Sequence, residues 1–223
     1  MLEQLLGALL FLFGFQLGGS VRGESTPSAV TASSSSILHN DIAGLEAKFL
    51  KNQKNALSNW EAKRASFSAS LAIIKDEKKK TRMETLQNRL NEINKNQTTL
   101  YMGTLKRLNT GVEKIQEASQ QHATESGKNT SDVTAKISSA NTAIADAIAV
   151  VTEQVQKTYV MTITSETQLK QNFGKERSKL ATDLKKSRDA VGNARKKVGD
   201  ALKALKSLAA GKPIKILLSE EAK

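Results

Sequence analysis

From residue 40 onward, apolar residues recur at intervals of three, four and seven. Ile42, Leu45, Phe49, Leu57, Trp60, Phe67, Leu71 and Ile74 form a first run. Met83, Leu86, Leu90, Ile93 and Leu100 resume it beyond Lys78, Lys79 and Lys80, and Leu105, Leu108, Val112 and Ile115 close it. This is the period of an α-helix with one narrow apolar stripe. Asn40 or Asp41 is placed to cap its start. No proline interrupts residues 40–126. The pattern therefore predicts a long first helix over 40–126, continuous or broken, with phase shifts near Leu57 and Leu105 that depart from a strict heptad. Asp76 and Lys80, one turn apart, are expected to pair on its outer face.

Residues 127–132 (GKNTSD) read as a helix–helix turn. Gly127 suits the left-handed residue that ends a helix, and Thr130, Ser131 or Asp132 suits the cap of the next. The second arm, 133–211, opens with Val133, Ile137, Ala140, Ile144, Ile148, Val151 and Val155. A break is expected near 158–165, where TYVMTIT is β-branched and has no helical stripe; Ser165 and Gln168 resemble a capping box. The final helix has the most regular heptad. Arg177, Leu184, Val191, Val198 and Leu205 occupy one seam position, and Phe173, Leu180, Ser187, Ala194, Ala201 and Leu208 the other. Gly211 and Pro213 end it, leaving a tail at 212–223 that either adds a short strand or docks on the helices. The expected fold is all-α: a long antiparallel helical hairpin or coiled-coil-like bundle, preceded by a flexible N-terminal linker. So thin a seam favours added layers or a second copy of the chain.

The first 39 residues differ in kind. Residues 5–15 (LLGALLFLFGF) are wholly apolar, too short to cross a hydrocarbon core of about 30 Å but the length of a signal-peptide core. Residues 1–23 are read as a signal peptide cut after Gly23, or as an uncleaved anchor, although Glu3 is acidic and no basic residue precedes the apolar run. Residues 24–39 are a Ser/Thr-rich linker. The expected location is secreted, periplasmic or at the cell surface, with membrane contact only if the first segment is retained.

Composition narrows the chemistry. Aromatic residues make up 4% of the chain, too few for a thick globular core. Cysteine is absent, which excludes disulfides, thiol catalysis and thiolate metal sites. His39 and His122 have no carboxylates at metal-ligand spacing, and both are expected to be exposed and idle. No phosphate loop, dinucleotide fingerprint or serine elbow is present. No catalytic residue, cofactor or metal is therefore expected, and the chain is read as non-enzymatic. Trp60 and Tyr159 are read as packing residues.

The net charge of +12 concentrates at 40–118, which contributes +6, and at 170–223, which contributes +9. Lys185, Lys186, Arg188, Arg195, Lys196, Lys197, Lys203 and Lys206 lie off the seam of the last helix and form a candidate anion-binding face. The plainer reading is that these lysines and arginines solvate a long helix.

Leu105, Leu108, Val112 and Ile115, then Asp132, Val133 and Thr134, the alanine-rich run 140–149, and the Lys/Arg/Ala-rich helix from Ala190 to Leu208 resemble uncharacterised exported coiled-coil proteins of reduced-genome bacteria. That resemblance implies an envelope or extracellular location and assigns no activity. TYVMTIT and IKILL carry a weaker resemblance to basic periplasmic holdase chaperones, whose helical arms extend from a β-rich body. The expected function is a structural or interaction module. The alternatives are a binder of an anionic polymer (nucleic acid or acidic surface polymer) through the basic C-terminal helix, or a holdase. Compatible partners are a second copy of the chain, another protein or an anionic polymer.

Overall fold

The computed structural model describes the backbone of residues 35–210 and the side chains of residues 44–210. The expected signal or anchor, residues 24–34 of the linker and the tail at 212–223 lie outside the described residues. Within them the chain is all-α. It comprises α1 (Ser35–Ser70), α2 (Glu77–Ser126), α3 (Ser131–Gln154) and α4 (Leu169–Ala209), with 3₁₀ turns at Leu71–Ile73 and Glu166–Gln168.

One boundary differs from that expected, and of the two forms expected for the first arm, continuous or broken, the broken one is found. Helix α1 begins at Ser35, so the end of the linker is helical and Asn40 and Asp41 lie inside the helix rather than at its cap. Neither proline nor glycine separates 35 from 40, and extending a formed helix by one turn costs little. The first arm also breaks at 71–76. Leu71 and Ile74 are buried there, and the backbone turns extended at Ile74. Asp76 then caps α2, accepting from the backbone N–H of Lys78 at 2.9 Å and of Lys79 at 3.2 Å. It therefore does not pair with Lys80, which bonds Glu77 at 3.2 Å instead. Gly127 ends α2 at φ 62°, as its position predicts. Thr130 precedes α3 without a side-chain cap bond, and Asn129 Oδ1 accepts from the Ser131 N–H at 2.8 Å.

Cross-links fix the directions. Glu46 pairs with Lys106, and Gln53 bonds Thr99 at 3.1 Å, so α1 and α2 are antiparallel. Asn94 bonds the carbonyls of Gln154 and Lys157 at 3.2 and 3.0 Å, so α3 returns along α2. Lys128 reaches the Leu208 carbonyl at 2.9 Å and Tyr159 reaches Asp183 at 2.9 Å, so α4 runs back along α3. The result is an up-down-up-down bundle in which α2 and α4 are parallel. Helices α2, α3 and α4 pack on one another, and α1 lies mainly against α3.

The core has two apolar clusters. One, toward the 127–130 turn, joins Phe49 to Leu105, Leu108, Val112, Ile144, Ile148, Val198 and Leu205. The other joins Phe67, Leu71, Met83, Leu90, Tyr159, Met161 and Leu180 at the opposite end. Ser187, Val191, Ala194, Val198, Ala201 and Leu205 are buried as the α4 heptad predicts, whereas Arg177 is exposed. Between the clusters runs a polar layer of Asn52, Asn94, Thr98 and Gln154, all buried. Asn52 donates to the Thr152 carbonyl at 3.1 Å, and Gln154 donates to Asn94 Oδ1 at 2.8 Å.

The expected break occupies 155–165. Tyr159, Met161 and Ile163 are buried, while Val160 is only half-buried and Thr162 and Thr164 are exposed. That is the two-residue alternation of an extended strand, yet no strand pairs with it among the described residues. Side chains of α2 take a neighbouring strand's place. Asn91 Oδ1 accepts from the Tyr159 N–H at 3.1 Å, and Gln87 Oε1 accepts from the Met161 N–H at 2.8 Å. Gln87 Nε2 also donates to the Tyr159 carbonyl, and Asn172 of α4 donates to the Thr162 carbonyl at 2.7 Å. Buried backbone polar groups need partners, and amides one turn apart on α2 supply them. The capping box does not form: Gln168 accepts from Thr164 at 2.8 Å, and Ser165 faces Thr167 at 3.1 Å.

Candidate functional site

Two constellations outside the plain apolar core carry chemistry. The first surrounds Tyr159. Its hydroxyl donates to Asp183 Oδ2 at 2.9 Å and accepts from Gln154 Nε2 at 2.6 Å. Lys157 reaches Asp183 Oδ1 at 3.2 Å. Burial pushes the Tyr159 phenol well above its ordinary range, and the neighbouring Asp183 carboxylate adds to the shift. Burial alone would raise the Asp183 carboxyl. The hydrogen bonds from Tyr159 and Lys157 and the charges of Lys157 and Lys186 outweigh it, leaving the group below the ordinary value. The phenol stays protonated and the carboxylate ionised around neutrality, so this pair is not poised for proton exchange there. These bonds hold 154–161 against α2 and α4, which makes the cluster a structural joint.

His122 is buried, not exposed as expected, and its Nε2 has no hydrogen-bond partner among the described residues. It lies on the α2 face turned toward the first core cluster, where its ring fills space. Trp60 and Tyr159 pack as expected, with Trp60 set 6.5 Å from the Phe67 ring. No group of three or more His, Cys, Asp or Glu suited to a metal occurs among the described residues.

The second constellation is basic. Of the eight cations expected to form a face on α4, Lys197 is half-buried and Lys185, Lys186, Arg188, Arg195, Lys196, Lys203 and Lys206 are exposed. They do not share one face. At 3.6 residues per turn they divide into three rows. Lys185, Lys196 and Lys203 point away from the bundle. Lys186 and Lys197 flank the side of Asp183. Arg188, Arg195 and Lys206 continue the row begun by Arg177. Lys185 is paired with Asp189, and Lys203 lies 3.9 Å from Asp200, so the outward row is partly neutralised within the helix.

The Arg177 row faces α2. Arg177 and Arg89 line opposite sides of a cleft of about 420 Å³, floored by Leu86, Leu90, Phe173, Leu180 and Leu184. Helical spacing extends this arrangement. Arg107 lies 18 residues after Arg89 and Arg195 lies 18 after Arg177, five full turns in each case. Because α2 and α4 are parallel, Arg107 and Arg195 recur at one level further along the same groove. Arg82 stands two turns before Arg89 on the same face, and Arg188 three turns after Arg177.

Arg89 and Arg177 line the cleft itself, and helical spacing sets Arg82, Arg107, Arg188 and Arg195 on the same two helix faces, six of the chain's eight arginines in all. Arg82, Arg89, Arg107, Arg177 and Arg195 have no ion pair among the described residues; Arg188 reaches Asp189 only at 4.0 Å. The closer bridges all use lysines: Lys79, Lys80, Lys106, Lys157, Lys185 and Lys203. Within the described residues, then, the acids mainly neutralise lysines and leave Arg82, Arg89, Arg107, Arg177 and Arg195 without an ion pair. The clue in the sequence is the repeated 18-residue spacing, which means nothing until α2 and α4 are known to be parallel neighbours.

No helix among the described residues is long and apolar enough to cross a membrane. Compared with protein-family models, curated proteins and solved structures, the chain matches none.

Proposed function

We propose that this chain is a non-enzymatic helical interaction module, exported through its apolar N-terminal run, that binds an anionic partner along the groove between α2 and α4. One observation supports this reading above the others: exposed arginines from two parallel helices flank a single groove, and no carboxylate is paired with Arg89, Arg107, Arg177 or Arg195 among the described residues. Guanidinium groups bind carboxylates and phosphates in paired hydrogen bonds, and like charges facing each other across a cleft favour an anion between them. The site is narrower than a basic C-terminal helix, because half of it belongs to α2.

The test is a salt titration of full-length protein on heparin, a generic polyanion. Binding is expected to weaken linearly on a log–log plot as salt rises. Reversing Arg89, Arg107, Arg177 and Arg195 to Glu should abolish it, whereas reversing Lys48, Lys51, Lys54 and Lys63 on α1 should not. Equal losses from both sets would assign the effect to diffuse charge and defeat the proposal.

A further inference from the structure

We infer that the occupant of the α2/α4 groove is an acidic amphipathic helix of a partner protein; this rests on the groove being an anion site at all. The groove is not merely charged. Ile93 is 38% exposed and Leu100 is 55% exposed, far more than a core helix position tolerates. They lie two turns apart on α2, the spacing at which a passing helix sets successive seam residues. Ile93 also lines the 420 Å³ cleft between Arg89 and Arg177. Leu100 falls between the two arginine levels. The site therefore alternates an arginine pair, an apolar floor and a second arginine pair.

A polyphosphate strand can use the arginines but gains nothing from Ile93 and Leu100, and Phe173 is the only aromatic ring in the cleft on which a base could stack. An amphipathic helix uses both features. Its apolar side chains enter the cleft and cover Leu100, while carboxylates on its flanks meet Arg89 and Arg177 at one end and Arg107 and Arg195 at the other. The two levels are about 27 Å apart at 1.5 Å per residue, so a partner helix of about 20 residues reaches both. Seated in the groove, it becomes a further member of the bundle. A second copy of this chain is a poor candidate through this face, since two arginine-lined grooves repel.

The probe is a fluorescein-labelled 21-residue synthetic helix with leucine along one seam and glutamate on both flanks, measured by anisotropy against the full chain. A control peptide carries glutamine in place of glutamate, and a 20-base-pair DNA duplex is run in parallel. Low-micromolar binding of the acidic helix is expected. R89E/R177E and L100D should each weaken it at least tenfold, K54E should leave it unchanged, and the glutamine peptide should bind at least tenfold more weakly. Because R89E/R177E alters only exposed side chains, its circular dichroism should match the parent. A lysine-flanked peptide should bind this variant better than it binds the parent, which shows that the variant is folded. If the duplex binds through these arginines and the acidic helix does not, the groove remains an anion site and the helical partner is refuted. If neither binds, both fall. Helix binding that ignores R89E/R177E and L100D overturns the inference as well.

Discussion

Gln87 is fully buried, at 0% exposure, in the middle of a helix that could have placed a leucine there. Replacing it with leucine keeps the volume and removes two hydrogen bonds. The Met161 N–H, bonded to Gln87 Oε1 at 2.8 Å, is then left without a partner. The Tyr159 carbonyl keeps only a long bond from Asn91 at 3.4 Å. Each buried group stranded in this way costs about 1–3 kcal/mol, and the apolar gain of a buried leucine returns about 1 kcal/mol. With one group stranded and a second only weakened, Gln87→Leu should destabilise the protein by about 1–2 kcal/mol. Urea unfolding followed by circular dichroism should show a lower midpoint at unchanged slope. Native-state hydrogen exchange should show the amides of 159–161 opening faster than those of α3. Asn96→Leu, at an exposed site on the same helix, should stay within about 0.5 kcal/mol of the parent. If Gln87→Leu is no more costly than Asn96→Leu, the amides of α2 do not stand in for a strand, and 155–165 must be held by its apolar side chains alone.

Asp183 holds its charge more strongly in the folded chain than in the unfolded one. Its contribution is present above the ordinary carboxylate value of about 3.9 and is lost as pH falls through the lower folded value. Asp183→Asn should thus be destabilising at neutral pH, and the gap from the parent should close in acid, as measured by thermal unfolding between pH 7 and 2. Gly127→Ala should cost about 1–2 kcal/mol through backbone conformation alone, because a Cβ there meets nothing within 4 Å; a thermal melt would show it. Phe49→Ala should cost about 3–5 kcal/mol if α1 is docked on the core, since Phe49 is only 3% exposed. Proteolysis confined to α1 in that variant would locate the loss, whereas a shift below 1 kcal/mol would mean that α1 adds little to the core.

The α4 seam was legible because its heptad is regular and its turn partner, α3, is adjacent in the chain. Gly127 was legible for the same local reason. The break at 71–76 was not, because the apolar stripe runs on through Leu71, Ile74 and Met83 without proline or glycine. Its one mark, Asp76, reads equally well as half of an i,i+4 pair. The role of Gln87, Asn91 and Asn94 was not legible, because their partners lie at 154–161, far away in sequence. His122 looked exposed because polar neighbours surround it in the chain, although the helix turns it inward. The basic site was half legible. The cations of α4 were visible, but their sorting into rows, and the share taken by Arg82, Arg89 and Arg107, depends on which helix lies beside which.

The polar layer of Asn52, Asn94, Thr98 and Gln154 has a consequence for how this protein can change in length. Apolar seams built from Leu, Val and Ala allow two helices to slide by one repeat at modest loss. Such a slide would set Asn94 against the buried Ala147 and strand the carbonyl of Gln154, so only one alignment of α2 with α3 is tolerated. Insertions and deletions should then occur in matched pairs of about seven residues on the far side of that layer, toward the 127–130 turn. The seven-residue intervals from Gln87 to Asn94 and from Gln154 to Met161 should keep their length in every homologue that retains the bundle.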